Sequence, residues 1–234
     1  MLLNDNEIHV WVWRCSPIAI QNSHLAVLSD VERARAARFV FDRDRARFTI
    51  AYAGLRQVLG SLLGIAPAAI MLTTDARGKP RLTGSTRPPV FFNLSHSHDL
   101  AALAVSSAFE VGLDIEYIRE IDLDDVIAFL SQTEQTALMR LPPGPTRRLG
   151  IFNAWTRKEA YLKAIGFGIT VPLDSFDVSL MPDEPARILR IAGSMTEARA
   201  WQLTSVTPAS GYVGAVAARA LGWHVTCDVL EFAT

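Results

Sequence analysis

Apolar residues change their spacing several times along the 234-residue chain, and each change marks an element. Ile8 to Arg14 (Ile-His-Val-Trp-Val-Trp-Arg) is dense in β-branched and aromatic residues and predicts a strand. Ser29-Asp30 supplies an N-cap for an Arg/Ala-rich helix reaching about Phe39. A longer helix is predicted from Asp42 or Arg43 to about Leu63, where Gly64 and Pro67 end it. Ile70 to Thr73 and Val90 to Leu94 read as short strands on either side of the loop Asp75-Ala-Arg-Gly-Lys-Pro80. Leu100 to Val105 and Glu110 to Glu116 follow as an expected hairpin.

Helical spacing resumes near Leu123–Phe129 and Ser131–Arg140, the latter opened by Ser131-Gln-Thr-Glu134 in the form of a capping box. Pro142-Pro-Gly-Pro145 breaks the chain before a helix from about Thr146 to Ile165, stopped by Gly166. Phe176 to Cys227 reads as several strands, with turns at Met181-Pro-Asp-Glu-Pro185, Pro208-Ala-Ser-Gly211 and around Gly222. Strands and helices are grouped rather than strictly alternating, so the fold class expected is α+β. Both halves run helix then antiparallel strands, which suggests a structural duplication, although no sequence repeat accompanies it.

Half the residues are apolar and a fifth are charged, as in ordinary globular proteins, and the net charge of −1 argues against a general polyanion binder. No nucleic-acid motif is present. Cys15 and Cys227 stand near opposite ends without a motif, which fits free thiols in a reducing, cytoplasmic setting. The opening residues carry acids where a leader needs a basic region, and no apolar run approaches the ~20 residues that span a bilayer. The expectation is a soluble protein with no membrane association.

Three constellations carry chemistry. Gly112-Leu-Asp-Ile-Glu116 alternates with period two, so Asp114 and Glu116 share one face while Leu113 and Ile115 point into a core. In Trp155-Thr-Arg-Lys-Glu-Ala-Tyr-Leu-Lys163, Trp155, Glu159 and Lys163 stack at i, i+4 and i+8. Taken singly, these acids read equally well as a solvated strand face and a surface helix pair. Taken together, three carboxylates and a lysine suit a hard divalent cation beside a phosphate. In the third, Phe91-Phe-Asn-Leu-Ser-His-Ser97, the strand delivers Ser95 and His96 to its end, followed by His98 and Asp99. A two-histidine zinc site lacks the further histidine it would need, and a histidine donating to a phosphate oxygen is the better reading. Arginines between Glu32 and Arg47 are interleaved with acids, and spacing alone does not say which of them meet a ligand. Phosphate-binding Gly-rich loops and a Gly-x-Ser-x-Gly elbow are absent from the sequence.

Asn93-Leu-Ser-His-Ser97, Gly112-Leu-Asp-Ile-Glu116 and Trp155–Lys163 resemble, in order and approximate spacing, the three signature blocks of 4′-phosphopantetheinyl transferases. Length and Gly78-Lys-Pro80 are similar to the surfactin-synthetase-activating (Sfp) type rather than the short, trimeric holo-acyl-carrier-protein synthases. Arg38-Phe39 and Pro172-Leu-Asp-Ser-Phe176 extend the likeness over about residues 30 to 180. The resemblance implies a monomer of two pseudo-symmetric α/β halves, 1–108 and 109–234, each with helices packed on a small, mainly antiparallel sheet. The active site would lie in the cleft between them. It further implies transfer of 4′-phosphopantetheine from coenzyme A to a serine of an apo acyl or peptidyl carrier protein, releasing adenosine 3′,5′-bisphosphate. Asp114, Glu116 and Glu159 would hold Mg²⁺, with Mn²⁺ as a substitute. Lys163 and His96 would contact phosphate oxygens, and Lys79 and Ser95 would help seat the nucleotide. Arg47 and Arg35 match positions at the 3′-phosphate, whereas Glu32 stands where the family has a basic residue. Glu159 is the candidate base for the carrier serine, acting directly or through a metal-bound water, a role with which its place as a metal ligand competes. For Lys158 the sequence leaves ligand contact and plain surface both open. Two other functions compete: a Mg²⁺-dependent hydrolase of coenzyme A, and a coenzyme A- or carrier-binding module without activity.

Overall fold

The computed structural model describes residues 4–15, 20–76, 78–84, 86, 88–120, 126–166 and 171–232. Its strands are β1 (Glu7–Arg14), β2 (Leu72–Thr74), β3 (Pro80–Leu82), β4 (Phe91–Ser97), β5 (Leu100–Ser106), β6 (Val111–Tyr117), β7 (Phe176–Val178), β8 (Ile188–Ile191), β9 (Gln202–Val206), β10 (Tyr212–Ala218) and β11 (His224–Val229). Helices are α1 (Asn22–Val27), α2 (Asp30–Ala37), α3 (Asp42–Leu63), α4 (Gln132–Arg140), α5 (Pro145–Ile165) and α6 (Met195–Ala198).

Two sheets form the middle of the molecule, in the orders β11-β1-β5-β4 and β6-β10-β9. Alternation along the strands decides what each face meets. Trp13 of β1 and Leu103 of β5 pack with Ile50, Leu55 and Leu59 of α3. Ile8, Val10, Ala102 and Ala104 point the other way, onto Leu113 and Ile115 of β6 and Val216 of β10. The opposite face of the second sheet, through Leu203, Ala215 and Ala217, packs on Ala160, Leu162 and Ala164 of α5. The layers are therefore helix, sheet, sheet, helix. This is the mixed α/β architecture expected, with small sheets that are mostly antiparallel. β11 is the exception: it crosses back from the end of the chain and joins β1 in parallel register.

The local signals hold. Ser29 and Ser131 each cap a helix through reciprocal bonds with Glu32 and Glu134, and α3 and α5 stop at Gly64 and Gly166 in the left-handed region. The expected hairpin of residues 100–105 with 110–116 does not form. β5 pairs instead with β4 and β1 in the first sheet, while β6 pairs with β10 in the second. Two residues separate β4 from β5, so this tight turn outcompetes the looser connection to β6. The partner of the strand near residue 72 is β3, not the strand at 91. α1, a short helix entered from Gln21, has no counterpart in the sequence pattern. Of the helix expected at 123–129, residues 123–125 lie outside the described residues.

Candidate functional site

Gly112 sets the approach of β6 to α5. A Cβ there would lie 2.0 Å from the Ala160 carbonyl oxygen and 2.3 Å from the Ala164 nitrogen, so only glycine lets the strand run this close beneath the helix. Asp114 and Glu116 follow on the same face of β6, and Glu159 and Lys163 project from the α5 turns above them. The helix spacing and the strand period thus converge on one place.

The edge of β4 completes it. Asn93, Ser95 and Ser97 recur with period two, and their side chains do what a backbone ladder would otherwise do. Asn93 Oδ1 accepts from the Leu113 N–H at 2.8 Å, Ser95 Oγ from Ile115 at 3.3 Å and Ser97 Oγ from Tyr117 at 3.1 Å. Both hydroxyls then donate outward, Ser95 to Asp114 Oδ1 at 3.0 Å and Ser97 to Glu116 Oε2 at 2.6 Å. Lys163 Nζ donates to Asp114 Oδ1 at 2.5 Å and to Ser95 Oγ at 3.1 Å. With one donor and two acceptor sites engaged, the Ser95 hydroxyl is saturated.

Asp114 is buried, and its second oxygen, Oδ2, has no hydrogen-bond partner among the described residues. Burial raises the Glu159 carboxyl above its ordinary range, and the charges of Asp114 and Glu116 add to the rise while Lys163 opposes it. Glu116 is likewise raised, by burial first and by Asp114, with the Ser97 bond pulling the other way. Glu116 and Glu159 therefore have their charge disfavoured beside the Asp114 carboxylate, and Lys163 offsets this only in part. An all-oxygen donor set of this kind fits a hard divalent cation. Among the described residues no group of three or more carboxylate, imidazole or thiol side chains lies close enough to cage an ion unaided.

Basic side chains stand near the acids. His96 is exposed, and desolvation by the surrounding protein, then the charges of Lys163 and Arg47, lower its imidazole pKa from the ordinary value. Arg47 reaches Asp99 at 3.3 Å and Asp44 at 3.7 Å, and its Nε is buried without a partner. Arg35 stacks its guanidinium over Phe48 at 5.1 Å and lines a cavity of about 390 Å³ with Phe48, Tyr52, Ile70 and Thr73. A smaller cavity of about 150 Å³, lined by Glu116, Arg119, Val126, Phe152 and Trp155, adjoins the acids.

Three charged residues turn out to be spoken for. Lys79 is buried, and its ammonium donates to Glu110, to the Val111 carbonyl and to the Lys163 carbonyl. Glu32 is buried against Arg56 at 2.7 Å, which explains an acid in that place. Lys158 neither meets the cleft nor reaches the surface: it pairs with buried Glu134 at 2.9 Å. Sequence reasoning passed over Ser97 and Asp99 as site residues. The period-two polar pattern of β4 was the available signal for Ser97, whereas nothing local announced that Asp99 would hold Arg47.

Residues 110–217 match the 4′-phosphopantetheinyl transferase superfamily, and residues 12–108 match the N-terminal region of 4′-phosphopantetheinyl transferases. The chain is 37% identical over 226 residues to 4′-phosphopantetheinyl transferase HetI of Nostoc sp., covering 95% of this chain and 92% of that one. It is 29% identical over 159 residues to 4′-phosphopantetheinyl transferase Sfp of Bacillus subtilis, covering 68% and 69%. An L-aminoadipate-semialdehyde dehydrogenase-phosphopantetheinyl transferase of Xenopus laevis is 29% identical over 161 residues, covering 64% and 53%.

Proposed function

The chain belongs to the 4′-phosphopantetheinyl transferase superfamily, and on that premise we propose that it transfers 4′-phosphopantetheine from coenzyme A to a serine of an apo acyl or peptidyl carrier protein. The observation that carries the reading is the Lys163–Asp114 pair, with Oδ2 orphaned and Glu116 and Glu159 raised beside it. Such a cluster is costly unless a cation and a phosphate complete it. The upstream Gly78-Lys-Pro80 loop supports an Sfp-type reading within that superfamily.

In the reaction, the carrier serine oxygen bonds to the phosphorus of the phosphopantetheine phosphate and the pyrophosphate P–O bond breaks. The serine proton passes to Glu159, whose raised pKa improves it as a base near neutrality. Adenosine 3′,5′-bisphosphate leaves with the electron pair. Lys163 and His96 donate to phosphate oxygens, and Arg47 and Arg35 hold the 3′-phosphate end. Asp114, Glu116 and Glu159 would hold Mg²⁺, which supplies neutralisation of the pyrophosphate charge. Ser95 serves here by orienting Asp114 and Lys163 rather than by touching the nucleotide.

The test is intact-mass spectrometry of an apo carrier protein incubated with this protein, coenzyme A and Mg²⁺. A gain of about 340 Da on the carrier serine is expected, absent with EDTA. Free phosphopantetheine with an unmodified carrier would instead establish the hydrolase. Intact, bound coenzyme A and unmodified carriers of several classes would leave a binding module.

A further inference from the structure

We propose that Lys79 is a positioning residue for Lys163, acting through the end of α5 rather than through a ligand; this rests on the transferase reading above. Lys79 stands at the start of the β3 strand, on the β2–β3 hairpin of the N-terminal part of the chain. Its ammonium donates at 2.9 Å to the Lys163 carbonyl oxygen, at 2.9 Å to the Val111 carbonyl oxygen and at 3.1 Å to Glu110 Oε2. Three donors meet three acceptors, so none is left for a nucleotide.

The acceptors define the role. The last carbonyls of a helix have no partner within it, and the negative end of the helix dipole gathers there. Lys163 lies in the last turn of α5, two residues before it ends at Ile165. A buried cation from another element satisfies that carbonyl and matches that dipole. The same ammonium grips Val111, one residue before the close passage of Gly112 under Ala160 and Ala164. Lys79 thus clamps β6 to the terminal turn of α5, the two segments that supply Asp114 and Lys163.

The clamp is braced in turn. Glu110 also accepts from Arg81, and Arg81 reaches Asp75, whose Oδ1 accepts the Lys79 backbone N–H at 3.0 Å. The hairpin is thereby held as a unit against the seam between the two sheets. Without the ammonium, the Lys163 carbonyl loses this buried donor and the last turn of α5 is freer to fray. The Lys163 side chain then loses its fixed placement over Asp114 Oδ1. A misplacement of a phosphate-contacting group by about 1 Å is enough to cost on the order of 10²-fold in rate.

The experiment compares the parent protein with Lys79→Met, Lys79→Arg and Glu110→Gln, reading kcat and KM for coenzyme A in carrier transfer. Affinity for adenosine 3′,5′-bisphosphate is measured by calorimetry on each. For Lys79→Met the inference expects kcat to fall at least about 10-fold, with KM and nucleotide affinity within about 3-fold of the parent. Lys79→Arg should recover part of the loss, because it keeps the charge. Glu110→Gln, at a half-exposed residue, should show the same pattern more weakly, and it carries the test if Lys79→Met fails to fold. A 10-fold loss of nucleotide affinity with kcat unchanged would make Lys79 a ligand residue and overturn the inference while the transferase reading stands. Equal kcat in all variants would overturn it too. No transfer by the parent protein would remove the functional reading, and this inference with it.

Discussion

Helix α5 carries two lysines, five positions apart, each paired with a carboxylate, and the two pairs have opposite characters. Lys158 and Glu134 expose 0% and 2% of their side chains. The Lys158 ammonium also donates to the carbonyls of Leu173 and Phe176 and lies over the Phe176 ring, and the Glu134 carboxylate accepts from Ser131 and Val178. Nothing in that pair is left to bind anything. Lys163 exposes 28% of its side chain, and its partner Asp114 keeps one oxygen orphaned with two further acids close by. Identical chemistry becomes glue where both carboxylate oxygens are engaged and a site where one is withheld. A buried ion pair alone therefore says little about function; its unsatisfied remainder says more.

The comparison breaks most decisively at Asp114. Asp114→Ala should cut carrier transfer by at least about 10³-fold, since it removes the acceptor that orients Lys163 and Ser95. The fold should survive, because like charge is relieved rather than created. Circular dichroism and a transfer assay on the same sample check both halves of the expectation. Retained turnover would remove Asp114 from the machinery.

The closed pair should respond the other way. Glu134→Gln keeps the shape but has one oxygen where Oε2 accepts from the Ser131 N–H and Oε1 from the Val178 N–H, so one of these N–H groups faces an amide NH2, and Lys158 is left buried without a counter-charge. We expect a loss of about 3 kcal/mol in denaturant unfolding and, in the surviving folded fraction, transfer close to that of the parent. A large change in kcat at matched folded concentration would show that the two pairs are coupled through α5.

Which relations were readable in the sequence and which were not follows from distance along the chain. The Ser131–Glu134 cap is a three-residue relation, and Glu159–Lys163 a four-residue one, so pattern alone finds them. That Glu134 would receive Lys158, or that Lys79 would clamp the Lys163 carbonyl 84 residues away, depends on which sheets pack together. The same limit explains the misplaced hairpin: the alternation of β5 and β6 was legible, but strand partners are chosen by turn length and face burial. β11 is a sharper instance, since nothing in His224–Val229 declares a parallel return to β1. The site acids were legible because strand period two and helix period 3.6 each place them without any tertiary knowledge. What made them meet, Gly112 under Ala160 and the polar edge of β4, was present in the sequence only as residues without an assigned purpose.

The smallest effect is also the most discriminating, because it sets the same substitution against Glu134→Gln. Glu159 has its folded pKa raised above the ordinary 4.5. Between those two values the folded state holds more proton than the unfolded one, so its contribution to stability falls as pH rises through that window. At neutral pH the ionised Glu159 is then a cost to the free protein, borne for the sake of what the cluster binds. Glu159→Gln should raise the melting temperature slightly at pH 7 while abolishing transfer, and the gain should shrink as pH is lowered toward 4.5. Melting curves of parent and variant across that range read the sign directly. A variant less stable than the parent at pH 7 would mean that Glu159 is held like Glu134, by partners that favour its charge. The open half of the comparison would then fail.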